Sequence, residues 1–140
     1  VHEIKDNHDQ VIKSFNPTVV TEVISPATAL RVKKILQGAV ERGTGKNAQI
    51  KGIAVGGKTG TAQKVVNGTY SHSNFYASFI GFAPVENPRL AAVVVFDDPH
   101  PSYYGGTVAA PVFSEVIGDA LRYLEVKEEE SRPILTHAYR

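Results

Sequence analysis

The dipeptide Asn67-Gly68 constrains the fold of this chain more than any other feature of its sequence. Val65-Val66 precede it and Thr69-Tyr70 follow it, so β-forming residues stand on both sides. Asn and Gly tolerate the positive φ that both central residues of a type I′ turn require, and this pattern is the strongest short-range sign of a β-hairpin. We therefore expect the chain to reverse direction here between two antiparallel strands.

Two apolar runs extend this hairpin into a larger sheet. Residues 75–83 form a β-prone run rich in aromatic side chains, and residues 90–96 form an unbroken apolar run after a turn at residues 86–89. A parallel sheet would need crossover helices, and residues 60–96 contain no helical pattern. The sequence predicts a three-stranded antiparallel meander in which the strand at 90–96 is the most buried.

Helical patterns stand on either side of this meander. Ser25 and Pro26 provide an N-cap and a proline at the first helical position, and Gly43 provides a stop, which together predict a helix over residues 26–42. A second apolar stripe, from Ala109 to Leu124, predicts a helix that lies across the meander. The predicted fold class is α+β, an antiparallel sheet with packed helices.

Composition and charge exclude several classes of function. The chain has 15 Lys and Arg against 14 Asp and Glu, and this net charge of +1 gives no reason to expect nucleic acid as a partner. Cysteine is absent, which excludes disulfide and thiol chemistry. The histidines lack the spacing of a metal site, and we expect neither a metal nor a cofactor. The chain has no Met and begins at Val1, so we expect it to be a fragment.

A glycine-rich segment before the hairpin admits two interpretations. Residues 52–59 match the phosphate-binding pattern G-x-x-x-x-G-K-[ST], and Asp97-Asp98 resemble the aspartate of an Mg²⁺ site at the end of an apolar strand. A phosphate-binding loop needs a helix that begins at Lys-Thr, whereas Gly60 and then the hairpin follow here. A P-loop nucleotide hydrolase is therefore only a distant alternative.

The second interpretation places Lys58-Thr59-Gly60 on a strand beside an acyl-transfer cleft. Strand alternation puts Lys58 and Gly60 on one face, and Thr59 and Thr61 on the other. The two hydroxyls would face a substrate carboxylate, and the ammonium of Lys58 would supply positive charge and relay a proton. Gly60 would let a peptide approach the backbone, and the N–H beyond it would face a developing oxyanion.

A much longer pattern surrounds this strand. It comprises Glu41-Arg42-Gly43-Thr44-Gly45-Lys46-Asn47-Ala48, residues 55–63, Gly81-Phe82-Ala83-Pro84, Asn87-Pro88-Arg89, and Tyr103-Tyr104-Gly105-Gly106 leading to Ala109-Ala110-Pro111-Val112-Phe113. In order and spacing the pattern resembles the C-terminal part of the transpeptidase domain of class B penicillin-binding proteins, the division and elongation D,D-transpeptidases. The resemblance covers residues 1–125 and implies the serine β-lactamase/D,D-transpeptidase fold, with residues 126–140 as a solvated C-terminal tail.

The resemblance implies an enzyme that cross-links peptidoglycan stem peptides through a covalent serine and binds β-lactam antibiotics. Lys58 would join the hydrogen-bonding network around the nucleophile, and Thr59 and Thr61 would hold the carboxylate of a D-Ala-D-Ala stem peptide or of a β-lactam. The N–H of Thr61 would form half of the oxyanion hole. Tyr103 and Tyr104 would either line one wall of the cleft or only pack against the start of the second helix.

The nucleophile itself is not expected in this chain. In the family it belongs to a Ser-x-x-Lys motif, and no serine here has Lys three positions on. Family order places this motif and a Ser-x-Asn motif before the Lys-Thr-Gly strand, so both are expected upstream of Val1. The chain alone should then not acylate.

The serine would instead come from the N-terminal part of the same enzyme, either within one polypeptide or on a separate chain. The resemblance also implies an anchor in the bacterial inner membrane, with this domain on the periplasmic or extracytoplasmic face. Two alternatives share the fold, a β-lactamase and a β-lactam sensor. A binding module without chemistry is a further alternative.

Overall fold

A computed structural model of the chain describes residues 2–16, 18 and 20–130. The elements in chain order are β1 (Glu3–Lys5), β2 (Val11–Ser14), α1 (Pro26–Glu41), a short 3₁₀ helix (Lys46–Ala48), β3 (Gly56–Val66), β4 (Thr69–Ala83), β5 (Leu90–Asp97) and α2 (Gly105–Glu130). β1 and β2 form one sheet, and β3, β4 and β5 form another in that order, with every pair antiparallel. The predicted α+β class and the antiparallel meander are confirmed.

The hairpin between β3 and β4 forms where the sequence predicts it. Asn67 and Gly68 have φ values of 51° and 79°, and Val66 pairs with Thr69 across the turn. β4 begins at Thr69 rather than at residue 75, because its pairing with β3 starts directly after the turn. The register is irregular between Gln63 and Val65.

The prediction that residues 90–96 form the most buried strand is wrong. β5 lies at the edge of its sheet, and Val93 and Val95 are 62% and 56% exposed. Val94, on the opposite face, packs against the core. The buried strand is β4, which lies between β3 and β5 and contributes the fully buried Phe79. The run is apolar on both faces, but the described part of the chain covers only one of them.

Both helices form, with ends that differ from the prediction. α1 begins at Pro26 as expected, where the Oγ of Ser25 accepts a hydrogen bond from the N–H of Thr28 at 3.2 Å. α2 begins at Gly105, before the apolar stripe, and continues to Glu130. The boundary between residues 125 and 126 thus falls within a helix. The solvated tail stays a prediction, and its residues 131–140 lie outside the described part.

One hydrophobic core joins these elements. The rings of Phe79 on β4 and Phe113 on α2 are both fully buried, with centroids 4.9 Å apart. Val40 near the end of α1 packs into the same cluster, as do Ile117 and Leu121 further along α2. α2 therefore lies across the meander as predicted, and the core fixes the end of α1, the sheet and α2 relative to one another. No helix in the described ranges is long and apolar enough to cross a membrane.

Candidate substrate-binding site

A cavity of about 340 Å³ opens where β3, the start of α2 and the loop after α1 come together. The residues that line it are Thr44, Asn47, Thr59, Thr61, Tyr104, Gly105, Gly106 and Thr107. Its volume is at the lower end of the range for small-molecule sites, and most of its side chains carry a hydroxyl or an amide. Such a lining suits a ligand that presents oxygen atoms as hydrogen-bond acceptors.

β3 contributes Thr59 and Thr61, both of which line the cavity. Their partners across the ladder are the buried residues Phe79 and Ala77, so strand alternation places the two threonines on one face of β3. Within the described sheet β3 pairs only with β4, which leaves its other edge unpaired. An unpaired edge offers backbone N–H and C=O groups to an extended peptide.

The loop after α1 supplies two polar residues that we did not single out from the sequence. The Oγ1 atoms of Thr44 and Thr59 are 2.8 Å apart, within hydrogen-bond distance. The side-chain amide of Asn47 donates to the carbonyl oxygen of Gly106 at 2.8 Å. Both residues belong to the longer pattern around residues 41–48, which was the only signal in the sequence for them. They connect the loop to β3 and to α2.

The first turn of α2 contacts the sheet through backbone atoms. A Cβ on Gly105 would clash with the carbonyl oxygen of Ser78 and stand 2.6 Å from that of Gly60. A Cβ on Gly106 would clash with the carbonyl oxygen of Thr44. Only glycine allows so close an approach. The N-terminus of α2 thus borders the cavity, where its partial positive charge favours an anionic group.

Lys58 and Gly60 belong to the same strand but do not line the cavity. Lys58 is exposed, and its Nζ donates to the carbonyl oxygen of Thr59 at 2.8 Å. A Cβ on Gly60 would stand 2.5 Å from the Oγ of Ser78 on β4. Because this Oγ ends a side chain that can rotate away, the described packing does not by itself require a glycine at position 60.

The two tyrosines have different surroundings. Tyr104 lines the cavity, whereas the ring of Tyr103 stacks on Phe75 of β4 at 4.3 Å with an interplanar angle of 14°. The hydroxyls of Tyr103 and Tyr104 are 3.4 Å apart, and this hydrogen bond raises the pKa of Tyr103 above its usual value. Tyr104 thus borders the cavity and Tyr103 packs on β4, and the place of either residue in the wall of a cleft stays a prediction.

The chain does contain one Ser-x-Asn sequence, at Ser14-Phe15-Asn16, although family order predicts that motif upstream of Val1. Ser14 is the last residue of β2, in the separate two-stranded sheet. Ser14 and Asn16 are exposed, and neither lines the cavity. This match therefore contributes nothing to the described site.

The structure excludes the phosphate-binding loop. Lys58 and Thr59 lie inside β3, which continues to Val66, so no helix begins at these two residues. Asp97 forms an ion pair with Lys64, and Asp98 accepts a hydrogen bond from Asn74. The described residues include no group of three or more His, Cys, Asp or Glu side chains that could hold a metal ion.

Comparisons with known proteins show the family of this chain. Residues 1–118 match the family model described as the penicillin binding protein transpeptidase domain. The stage V sporulation protein D of Bacillus subtilis is 42% identical over 124 residues, and a probable peptidoglycan D,D-transpeptidase PenA of Neisseria flavescens is 45% identical over 106 residues. The matches cover 88% and 74% of this chain. They cover 19% and 26% of the respective relatives, so the chain spans about a fifth to a quarter of their length.

A solved structure gives the same result. The apo TP domain of penicillin-binding protein 3 from Burkholderia pseudomallei matches with a TM-score of 0.68 and 42% sequence identity. The match covers 87% of this chain and 36% of that one. The fold, the family model and the identity to several relatives all point to one conclusion, that the chain belongs to the penicillin-binding protein transpeptidase domain family.

Proposed function

We propose that this chain is the C-terminal part of the transpeptidase domain of a peptidoglycan D,D-transpeptidase. The enzyme would cross-link stem peptides by serine acyl transfer and would bind β-lactams at the same cleft. One observation carries the proposal: the side chains of Thr59 and Thr61 line one cavity, on an edge strand and next to the N-terminus of α2. This arrangement suits a peptide that ends in a carboxylate.

The carboxylate of a D-Ala-D-Ala peptide or of a β-lactam would bind between the two threonines. A hydroxyl donates one hydrogen bond and accepts two, so Thr59 can donate to the carboxylate while it accepts from Thr44, 2.8 Å away. The first turn of α2 adds partial positive charge at Gly105 and Gly106. Tyr104 would form a wall of the cleft against the substrate.

The remaining roles concern the reacting carbonyl group. The substrate would extend along the unpaired edge of β3, with the N–H of Thr61 as one donor of the oxyanion hole. Lys58 is exposed and its ammonium contacts only a backbone carbonyl among the described groups, so the side chain can turn toward a nucleophile. There it would supply positive charge and take part in proton transfer. Gly60 would keep the strand free of a side chain beside the peptide, and Tyr103 would support Tyr104.

The serine would be supplied by the N-terminal part of the same enzyme, as one polypeptide or as a separate chain. This partner accounts for the absence of a Ser-x-x-Lys motif and for the small share of each relative that this chain covers. We further propose that residues 1–125 belong to the transpeptidase domain and that residues 126–140 form a solvated tail. The whole enzyme would be anchored in the bacterial inner membrane, with this domain on its outer face.

A fluorescent penicillin tests the proposal. The complete enzyme, with this chain and the segment that carries the serine, is incubated with the label and analysed on a denaturing gel. We expect a stable fluorescent band that unlabelled benzylpenicillin prevents, and no label on the 140-residue chain by itself. A complete enzyme that stays unlabelled would contradict the proposal.

The same experiment separates the alternatives that share the fold. After excess label is removed, a transpeptidase or a β-lactam sensor keeps the acyl group, whereas a β-lactamase loses it by hydrolysis. Release of D-Ala from a stem pentapeptide then distinguishes a transpeptidase from a sensor. A binding module without chemistry would take no covalent label.

A further inference from the structure

Two adjacent aspartates lie where β5 ends, Asp97 as its last residue and Asp98 directly after it, and each contacts a different strand. Asp97 pairs with Lys64 of β3. Asp98 has a φ of 53°, a left-handed conformation that turns the chain away from the strand. The loop that begins there, residues 98–104, leads to Tyr104 at the cavity and to the first turn of α2.

Asp98 is attached to β4 by three hydrogen bonds. Its Oδ2 accepts from the side-chain amide of Asn74 at 2.6 Å, and its Oδ1 accepts from the N–H of Phe75 at 3.3 Å. Its own N–H donates to the carbonyl oxygen of Phe75 at 2.9 Å. Asn74 is itself held in place, because its Oδ1 accepts from the hydroxyls of Ser71 and Ser73 at 2.8 Å and 3.2 Å.

The other end of the loop is attached to the neighbouring residue of β4. The ring of Phe75 stacks on Tyr103, whose ring centroid is in turn 4.6 Å from that of Tyr104. The carbonyl oxygen of Tyr104 accepts from the N–H groups of Thr107 and Val108, at 2.8 Å and 3.1 Å, where α2 begins. Asn74 and Phe75 therefore hold both ends of the loop against β4.

We propose that Asp98 is a positioning residue for the cavity. Through Asn74 and Phe75 it holds the loop 98–104 on β4, and the loop in turn fixes the place of Tyr104 opposite Thr59 and Thr61. Asp98 does not itself line the cavity. The inference rests on the proposed function, because its effect is measured on a ligand of that cleft.

The carboxylate form suits this role because two donors need two acceptors. The amide of Asn74 and the N–H of Phe75 each use one carboxylate oxygen, and these hydrogen bonds, chiefly that of Asn74, lower the pKa of Asp98. The charges of Lys64 and His100 act in the same direction. An Asn at position 98 tolerates the left-handed φ but offers one oxygen, so one of the two donors would face an NH₂ group.

The test compares two neighbouring aspartates in the complete enzyme. Asp98→Asn and the matched control Asp97→Asn each remove one charge from the end of β5. Benzylpenicillin acylation is resolved into the dissociation constant of the initial complex and the rate constant of acylation. We expect Asp98→Asn to raise the dissociation constant about tenfold, because Tyr104 would be displaced. The acylation rate constant of Asp98→Asn, and both constants of Asp97→Asn, should change less than about twofold.

Two further variants distinguish positioning from a general loss of structure. The exchange Asn74→Asp with Asp98→Asn re-forms the pair with donor and acceptor reversed, and we expect it to restore the dissociation constant. In a Tyr104→Ala background Asp98→Asn should have no additional effect, because Asp98 acts through Tyr104. Failure of the exchange to restore binding, or an additive effect in the Tyr104→Ala background, would overturn the inference.

The outcomes separate this inference from the proposed function. If the unaltered enzyme is not acylated, the proposed function fails and the inference fails with it. If the unaltered enzyme is acylated but Asp98→Asn behaves like Asp97→Asn, only the inference is overturned. A larger dissociation constant for Asp98→Asn alone, restored by the exchange, supports both.

Discussion

The hydroxyl of Thr59 lies at a junction of three elements. It projects from β3, its Oγ1 is 2.8 Å from that of Thr44 in the loop after α1, and its methyl group faces the first turn of α2 at Gly106. Because Thr44 occupies one side of this hydroxyl, its direction toward the cavity is restricted before a ligand arrives. Such preorganisation reduces the entropic cost of binding.

Replacement of Thr59 by Val should weaken recognition of the carboxylate while it preserves the shape of the side chain. A hydrogen bond to a charged group contributes about 1.5–3 kcal/mol, so we expect β-lactam acylation of the complete enzyme to fall roughly ten- to hundredfold in second-order rate constant. Thr69→Val, at the exposed hairpin of β3 and β4, is the matched control and should leave the rate unchanged. An unchanged rate in Thr59→Val would exclude the carboxylate role.

Acidification should release the contribution of Asp98 to stability. The hydrogen bonds from Asn74 and Phe75 hold its folded-state pKa below the ordinary value of 3.8, so the contribution is present above that value and is lost as the pH falls through the lowered pKa. The difference in melting temperature between the unaltered protein and Asp98→Asn should therefore be constant near neutral pH and should shrink at strongly acidic pH. A difference that stays constant across the acidic range would contradict this origin.

Local signals in the sequence predict individual elements well. Asn67-Gly68 and Ser25-Pro26 each act on their own backbone, so the hairpin and the start of α1 follow from a few adjacent residues. Strand alternation likewise predicts that Thr59 and Thr61 share a face. The exposed face of β5 could not be predicted, because an apolar run does not indicate which of its faces another element covers.

The start of α2 was missed for a related reason. Glycines are unfavourable in helices, so Gly105 and Gly106 indicate a loop when they are considered alone. Their place in the helix is decided by backbone atoms of Ser78, Gly60 and Thr44, which are distant in the sequence. The same distance hides the roles of Thr44 and Asn47, whose contacts form only after the loop packs against β3 and α2.

Two alanine substitutions within α2 should have opposite effects on stability. Gly105→Ala would place a Cβ against the carbonyl oxygens of Ser78 and Gly60, and we expect it to lower the free energy of unfolding by about 3 kcal/mol. Gly118→Ala meets only Ile50 Cγ2 at 3.6 Å, and we expect it to raise that free energy by about 0.5–1 kcal/mol. Urea denaturation of the two variants measures the difference. Equal effects would show that the close approach at Gly105 does not constrain the helix.

At the scale of the whole molecule, the two faces of the sheet formed by β3, β4 and β5 are covered to different extents. α2 covers the face that carries Phe79, whereas Ile80, Val93 and Val95 on the other face are 59%, 62% and 56% exposed. Exposed apolar patches on a soluble chain usually mark a surface that another element or partner covers. In the proposed enzyme, the segment that supplies the serine is the expected partner for this face.

This exposed face should make the chain by itself prone to association. We expect the 140-residue chain to sediment as a mixture that shifts to larger species with rising concentration, because apolar surface is then removed from water. Combined replacement of Ile80, Val93 and Val95 by Thr keeps β-forming residues and should reduce the association. The same replacement at Leu30 and Ile35 of α1, which are 53% and 70% exposed, is the comparison. Equal sedimentation of both variants would assign association to another surface.

The backbone contact beneath Gly105 and Gly106 has a mechanical consequence. Side chains separate most helices from the elements on which they pack, but at Gly105 and Gly106 the backbone of α2 makes the contact directly. Further along α2, the side chains of Phe113, Ile117 and Leu121 fill the space between the helix and the rest of the core. The first turn of α2 is therefore the more tightly constrained end of the helix. We expect substitutions in this core to shift α2 near Leu121, about 24 Å from Gly105 by helical rise, more than they shift the rim of the cavity. Substitutions among these core residues should therefore leave the geometry of the cavity largely unchanged.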